Sequence, residues 1–440
     1  MINRRLLSSF IMVLLTAICI CPASAQRRGK PSAARDFSAV LIETGSSAPS
    51  SGQFANFNSF TINDNNHVAF LATVTRKEDS SNTAGTVNGL FLLTDSGARK
   101  IALQGEVAIG GGKFSDLIPL TDPPTTTIAL NNRDEIAFIA QLEGTTASTG
   151  IFLSSQNQLT RLVANGDAAP GGGKFAGFGS LAINDRGNVV FFSALSEDRA
   201  GAAVFLISET GMERMLSLGD SLTTGERLNG ISFSARSFNN ENQLVLLGNF
   251  SNTSEQTGLF LATPGKLSAV ATTGQTSPLG GRFQTFGLPV INDRGTILCL
   301  TFLSEGPSQA LFTFSTQGVI KVAATGDITL DGEKIETIPS FRDAYAINNN
   351  GMVAYCALLN SFQSQTFFLV KDNSVTSVGR NVRLPTPRFP NLIRFYPLAL
   401  NNQDVVLVAG ATFDTFGFTT TINEINIGRA GNKSVDIYRR

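Results

Sequence analysis

The stretch Asn184-Asp185-Arg186-Gly187-Asn188-Val189-Val190-Phe191 contains the pattern that decides the fold. Its first two residues have short polar side chains that bond to backbone N–H groups two residues further on. Gly187 tolerates the left-handed backbone that closes a short hairpin. An apolar residue precedes the turn and an apolar run follows it. The stretch therefore predicts a tight hairpin between two buried strands.

The same four-residue turn recurs at regular intervals along the chain. Its copies begin at Asn63, Asn131, Asn184, Asn239, Asn292, Asn348 and Asn401. A third strand with a phenylalanine follows each turn, at Phe91, Phe152, Phe205, Phe260, Phe312, Phe368 and Phe418. A fourth strand of mixed polarity then ends at a glycine in most copies. Four short strands in each copy predict an all-β fold, a closed seven-bladed β-propeller of four-stranded blades over residues 37–427.

The two ends of the repeat region complement each other. The last copy ends without a fourth strand, whereas residues 37–45, before the first copy, resemble one. We therefore expect an N-terminal strand completing the last blade, which would close the ring and remove its open edge.

The motif Asn184-x-x-Gly187-x-x-x-Phe191 resembles the Asn-x-x-Gly-x-x-x-Phe tandem repeat of a family of exported, mostly uncharacterised bacterial proteins. The turn is also similar to the Asp-Gly hairpin of TolB-type and WD-like β-propeller repeats. The resemblance covers about residues 37–427, although one copy alone carries the whole motif. It implies a propeller fold and export, and it implies no activity.

Residues 1–25 have the pattern of a signal peptide. Arg4 and Arg5 precede an apolar run, and Ala23-Ser24-Ala25 is a small-x-small cleavage site. A signal anchor is the alternative. We predict cleavage near Ala25 and a secreted or periplasmic protein without a membrane span. Residues 26–36 would form a flexible basic linker and residues 428–440 a polar tail. Lys plus Arg and Asp plus Glu number 34 each, so no net charge favours nucleic acid.

The reactive side chains are few. The single histidine, His67, is predicted to be an exposed turn residue, and this argues against Ser-His-Asp catalysis and His-rich metal sites. Cys299 and Cys356 fall on opposite faces of equivalent strands, so we expect two buried thiols and no disulfide. The Asn/Asp turns could be calcium loops, but turn chemistry explains every position. The loop Gly171–Lys174 leads into a strand and not into a helix, so it is not a P-loop. No catalytic residue, metal or cofactor is predicted.

One position in the repeat carries a functional signal. A basic residue precedes the apolar residue that opens the first strand in six copies, which gives six candidate ligand-binding residues: Lys113, Lys174, Arg227, Arg282, Lys334 and Arg388. Rotational symmetry would place them in a ring at a channel mouth. They could bind an anionic ligand, or they could be surface cations that pair with nearby acids such as Asp167 and Asp220.

These features favour a non-enzymatic exported scaffold that binds a protein or glycan through one loop face, and the basic positions favour an anionic one. A carboxylate- or calcium-dependent propeller hydrolase or lyase is one alternative, and a structural cell-envelope protein is another. A propeller fold hosts all of these functions, so the fold alone does not decide between them.

Overall fold

A computed structural model describes residues 39–429 except 50–51, 78–83, 118–126, 223–225, 252–255, 341–343, 361–363, 373, 381–391 and 414–419. Within this part of the chain every regular element is a β-strand, and no helix is long and apolar enough to cross a membrane.

The strands follow the sequence repeats. β1 (Ala39–Glu43) precedes the first repeat. The first repeat contains β2 (Gln53–Ile62), β3 (Val68–Lys77), β4 (Ala84–Thr94) and β5 (Gly97–Leu103). The second contains β6 (Lys113–Asp116), β7 (Ile128–Leu130), β8 (Ile136–Glu143), β9 (Thr149–Ser155) and β10 (Gln158–Ala164). The third contains β11 (Lys174–Ile183), β12 (Val189–Ser196), β13 (Ala202–Ser208) and β14 (Gly211–Ser217). The fourth contains β15 (Arg227–Ser232), β16 (Leu244–Ser251), β17 (Gln256–Thr263) and β18 (Lys266–Thr272).

The remaining repeats continue this order. The fifth contains β19 (Phe283–Phe286), β20 (Val290–Ile291), β21 (Ile297–Leu303), β22 (Gln309–Ser315) and β23 (Gly318–Ala324). The sixth contains β24 (Ile335–Thr337), β25 (Tyr345–Ile347), β26 (Val353–Leu359), β27 (Ser364–Lys371) and β28 (Ser374–Arg380). The last contains β29 (Leu392–Leu400), β30 (Val405–Phe413) and β31 (Thr420–Arg429). In the second, fifth and sixth repeats the first strand is split into two short pieces.

The strands are hydrogen-bonded into six sheets, so the prediction of a closed seven-bladed propeller is wrong. Counted by its sheets, the molecule is an all-β, six-bladed propeller. The difference arises where the first and last repeats meet, because a bridge between Phe57 of β2 and Ile422 of β31 joins them into one eight-stranded sheet. Each of the other five repeats forms a sheet of its own. A repeat pattern counts hairpin turns, and it carries no information about hydrogen bonds between neighbouring repeats.

The N-terminal strand lies against the C-terminal one. β1 pairs antiparallel with β31, from Ala39 opposite Ile427 to Glu43 opposite Glu424. β31 pairs in turn with β30, so residues from both ends of the described chain share one sheet. Ile42 on β1 is buried, which ties this strand to the core as well as to the sheet.

Removal of residues 1–46 should therefore lower the melting temperature and promote aggregation. The truncation deletes β1 and leaves the long backbone edge of β31 available to another chain. Light scattering after size-exclusion chromatography and a thermal melt would measure both effects. Removal of residues 1–36 alone is the control, since it keeps β1. A protein that lacks β1 but stays monomeric with an unchanged melt would contradict this role.

Phenylalanines form the centre of each of the first three repeats. In the third repeat, Phe175, Phe191 and Phe205 come from three different strands and are fully buried. The rings of Phe175 and Phe205 meet edge to face with their centroids 4.9 Å apart, and those of Phe191 and Phe205 stack at 5.5 Å. Apolar residues on the other face of each sheet pack against the neighbouring repeat, which explains the nearly continuous apolar runs in the sequence.

Candidate functional site

The seven Asn turns meet around one polar cavity of about 160 Å³. The first two residues of every turn line it. The first residue of each turn is almost fully buried, as Asn184 is at 4% exposure. A buried amide must find hydrogen-bond partners, so the contacts of these asparagines explain why the turn requires them.

The first residues form a closed ring that links each repeat to the next. Asn184 Oδ1 accepts the N–H groups of Arg186 and Asn188 at 3.1 and 3.0 Å, which holds its own turn. Its Nδ2 donates to the carbonyl of Asn239, the equivalent residue of the next repeat, at 3.1 Å. The same inter-repeat bond is made by Asn63, Asn131, Asn239, Asn292, Asn348 and Asn401, and Asn401 returns to the carbonyl of Asn63.

The second residues of the turns form another closed ring. The backbone N–H of each donates to Oδ1 of the next one, in the order Asp64, Asn132, Asp185, Asn240, Asp293, Asn349, Asn402 and back to Asp64. The three aspartates are separated by asparagines. Asp185 Oδ2, for example, accepts amide N–H groups from Asn132 and Asn240 at 2.9 and 3.0 Å. These carboxylates are therefore acceptors that hold the ring together, and no cluster of three or more Asp, Glu, His or Cys side chains suited to a metal ion occurs among the described residues.

His67 is not the exposed turn residue that the sequence predicted. Its side chain is 19% exposed, and its Nδ1 lies 2.8 and 2.9 Å from the two carboxylate oxygens of Asp134 in the next repeat. Asn188 makes the equivalent contact to Asn242 at 2.8 Å. His67 therefore joins two repeats. The sequence contains one sign of this role, because the residue directly after the turn is polar in both copies. A polar residue at a turn was expected to face solvent, so the contact between repeats was not predicted.

Glu135, next to the second turn, also has a structural role. Burial raises the pKa of its carboxyl, but hydrogen bonds from Asn131, Arg133 and Ser155 outweigh burial and hold the pKa below its ordinary value. The group thus stays ionised.

A Cβ at position 187 would overlap the guanidinium of Arg133, and Gly187 has a φ of 83°. The positive φ favours glycine at this position, whereas the flexible side chain of Arg133 could move aside.

Cys299 and Cys356 are buried and unpaired, which confirms the prediction of two thiols without a disulfide between them. Burial raises the pKa of the Cys356 thiol to about 12 and raises that of Cys299 as well. Both thiols therefore remain protonated at neutral pH and are poor nucleophiles.

Five of the six predicted basic residues occupy equivalent positions in their repeats. These positions lie at one end of the first strands, and the Asn turns lie at the other end. Lys174 begins β11, for example, and Asn184 directly follows the end of that strand. All five are exposed, and each forms a backbone bridge to the residue six positions earlier: Lys113, Lys174, Arg227, Arg282 and Lys334. Arg388 lies outside the described residues. The equivalence of the five positions is thus a property of the fold, and their role in ligand binding stays a prediction.

Their local partners differ from those expected. Lys174 pairs with Glu197 at 2.8 Å and Lys334 with Glu336 at 3.4 Å. The guanidinium groups of Arg227 and Arg282 donate to the carbonyls of Gly219 and Gly274. The sequence suggested Asp167 and Asp220 as partners of the basic residues. These two carboxylates instead accept backbone N–H groups at 2.8 and 2.7 Å and close their own turns.

The glycine-rich segment before Lys174 belongs to a connecting hairpin, the segment that leads from the fourth strand of one repeat to the first strand of the next. Arg214 of β14 donates to the carbonyls of Pro170 and Gly172 in this hairpin, at 3.0 and 2.9 Å. Its guanidinium also lies 2.8 Å from Asp198 and 5.6 Å from the ring centre of Phe205. The hydrogen bond from Arg214 lowers the pKa of Asp198. Sequence reasoning missed Arg214, although a basic residue stands opposite the repeat phenylalanine in several copies.

A family described as "Family of unknown function (DUF7453)" matches residues 32–204 and 197–424. The chain belongs to this family. Two consecutive matches agree with a tandem-repeat β-propeller, and membership in DUF7453 carries no activity with it. No protein with a curated description matches the chain. The resemblance to the Asn-x-x-Gly-x-x-x-Phe family and the export of the protein stay predictions.

Several solved structures are similar to this DUF7453 chain at low identity. A polysaccharide lyase of family PL25, an ulvan lyase, is 10% identical with a TM-score of 0.39, and the match covers 89% of this chain and 95% of the lyase. A putative 6-phosphogluconolactonase from Bacteroides uniformis is 11% identical with a TM-score of 0.35, covering 82% and 98%. An α-L-arabinofuranosidase from Fusarium graminearum is 11% identical with a TM-score of 0.36, covering 70% and 94%. Likeness at this level carries no conclusion about activity.

Proposed function

We propose that this protein is an exported, non-enzymatic scaffold that binds an extended anionic ligand through its connecting hairpins. The observation that carries the proposal is the exposure of five cations at one equivalent position of successive repeats. A polyanion such as an acidic glycan presents negative groups at regular intervals, and repeated cations on a rigid frame complement such a chain.

The other end of the first strands, where the Asn turns lie, supports a binding scaffold over an enzyme. The carboxylates that line the cavity there, Asp64, Asp185 and Asp293, accept hydrogen bonds that close the second ring. Acid–base catalysis needs a carboxyl group that exchanges a proton with substrate. Here the carboxylates build the frame, which favours a rigid binding platform over a reaction centre.

The local partners of the cations leave them available to a ligand. The side chains of Lys174 and Lys334 are 50% and 54% exposed, so their pairs with Glu197 and Glu336 are solvated. Such exposed pairs contribute only about 0–1 kcal/mol each. A polyanion that offers several carboxylates at once can therefore displace them.

Isothermal titration with polygalacturonate at low and at physiological ionic strength would test the proposal. We expect saturable binding that weakens as salt is added. The double variant Lys174→Gln/Arg282→Gln should bind about tenfold more weakly, because it loses two contacts of about 0.7 kcal/mol each. The double variant Arg186→Gln/Arg294→Gln is the matched control, since it removes the same charge from exposed turn positions at the other end of the first strands.

Equal losses in the two double variants would contradict a site on the connecting hairpins, as would the absence of any binding. Formation of unsaturated or reducing sugar ends during the titration would instead support the hydrolase or lyase alternative.

A further inference from the structure

The second residues of the seven turns do not alternate completely between acid and amide. In ring order they are Asp64, Asn132, Asp185, Asn240, Asp293, Asn349 and Asn402. Because the number of turns is odd, strict alternation is impossible, and two residues of the same type must be neighbours. These are Asn349 and Asn402, called here the amide junction.

The amides elsewhere in this ring use both of their N–H groups. Nδ2 of Asn132 donates to Oδ2 of Asp64 at 2.7 Å and to Oδ2 of Asp185 at 2.9 Å. Nδ2 of Asn240 donates in the same way to Asp185 and Asp293, at 3.0 and 2.8 Å. The side-chain amide of asparagine has two N–H donors, so an amide that lies between two aspartates is fully satisfied.

At the amide junction each amide has an aspartate on one side only. Nδ2 of Asn349 donates to Asp293, and Nδ2 of Asn402 donates to Asp64 at 2.8 Å. Within the part of the chain that the structure describes, neither Nδ2 has a second acceptor. Both residues line the polar cavity. Two neighbouring side chains therefore each have one N–H group left to donate at the cavity wall.

The surroundings of the junction determine which acceptor suits these donors. The carboxylates of Asp64 and Asp293 flank it, and they would repel an anionic oxygen. A neutral carbonyl oxygen avoids this repulsion and has two lone pairs, one for each donor. A carboxylate accepts about four hydrogen bonds, and the ring supplies three to Asp64 and three to Asp293. Each carboxylate can thus accept one more N–H group from a ligand.

We propose that the amide junction binds the neutral amide group of a small ligand in the polar cavity. The ligand's carbonyl oxygen accepts from Nδ2 of Asn349 and Asn402, and its N–H group donates to Asp64 or Asp293. The volume of about 160 Å³ is sufficient, since a cavity of about 150 Å³ in another protein holds benzene.

This site lies at the end of the first strands away from the connecting hairpins. It requires none of the basic residues there and no anionic ligand. It therefore goes beyond the proposed function, and either proposal can be correct without the other.

Titration of isotope-labelled protein with acetamide, followed by NMR of the asparagine side-chain amides, would test the site. We expect saturable shifts at Asn349 and Asn402 and much smaller ones at Asn132 and Asn240, whose N–H groups already have acceptors. Acetate has nearly the same shape, and it should bind at least about tenfold more weakly because the flanking carboxylates repel it. Equal binding of acetate, or equal shifts at all four asparagines, would overturn the proposal.

A pair of variants separates the junction from the rest of the ring. Asn349→Ala removes one of the two spare donors and should weaken acetamide binding at least about tenfold. Asn132→Ala is the matched control, because it removes an amide from the same ring but leaves the junction intact. Equal losses in the two variants would contradict the site. If Asn349→Ala does not fold, the wild-type titration still decides, since Asn132 and Asn240 are its internal controls.

A comparison of two larger probes would identify the source of the amide. Tighter binding of N-acetylglucosamine than of a capped Gly-Gln-Gly peptide would indicate a sugar, and the reverse would indicate a peptide side chain. Absence of any saturable shift with acetamide would overturn the proposal, because water alone would then complete the ring.

Discussion

Replacement of Phe205 by alanine is expected to lower the free energy of unfolding by about 4 kcal/mol. The side chain is fully buried, and its ring contacts those of Phe175 and Phe191 as well as the guanidinium of Arg214. The variant therefore loses apolar burial, two ring contacts and the surface that supports Arg214. A urea unfolding curve would measure the loss as a lower midpoint with an unchanged slope.

Phe191→Leu is the matched comparison for this variant. The fourth repeat carries Leu246 at the position of Phe191, and Leu246 is fully buried there. A leucine is thus compatible with the fold at this position, and we expect a loss of about 1.5 kcal/mol or less. If Phe205→Ala were no more destabilising than Phe191→Leu, the phenylalanine cluster would not be the centre of the repeat.

Replacement of Asn184 by alanine is expected to cost about 3 kcal/mol, although it removes only a small side chain. The N–H groups of Arg186 and Asn188 lose their acceptor, and the buried carbonyl of Asn239 loses its donor. Each buried polar group left without a partner costs about 1–3 kcal/mol, and partial access of water reduces the sum. Arg186→Ala, an exposed change in the same turn, should stay within about 0.5 kcal/mol of the wild type.

Asn184→Asp separates the two tasks of this residue. The aspartate keeps the acceptor for its own turn but directs a second oxygen at the carbonyl of Asn239 and at Asn242 Oδ1. Burial beside two acceptors raises the pKa of such a carboxyl in the folded state. The destabilisation should therefore be small in acid and should grow as the pH rises above about 3.9, the ordinary pKa of aspartate. Stability like that of the wild type at neutral pH would mean that the bond between repeats contributes little.

The sequence predicted those parts of the fold that local chemistry decides. Asn66, Asp134 and Asn242 stand at the fourth turn position with φ values of 62°, 61° and 56°, as expected for residues that replace glycine there. The number of sheets was beyond such reasoning. It depends on a bridge between Phe57 and Ile422, and no local pattern reports a contact between residues so far apart in the chain.

The same limit applies to the candidate sites, because the sequence shows the type and position of a residue but not its contacts. The positions of Lys174 and Arg227 in the repeat were visible in the sequence, but their partners were not. Glu197 reaches Lys174 from the loop that follows the second strand of its repeat, and the conformation of that loop determines the contact.

The closed Asn ring has a consequence for the order in which the chain folds. Neighbouring turns such as Asn184 and Asn239 are 55 residues apart, whereas Asn401 and Asn63 are separated by 338. Loop-closure entropy grows only logarithmically with length, so joining the distant pair costs about 1.6 kcal/mol more than joining neighbours. The bonds from Asn401 and Asn402 to the first turn, together with the pairing of β1 and β31, form at that step. Docking of the last repeat onto the first therefore carries a larger loop-closure cost than joining neighbouring repeats, and the hydrogen bonds formed at that step offset it.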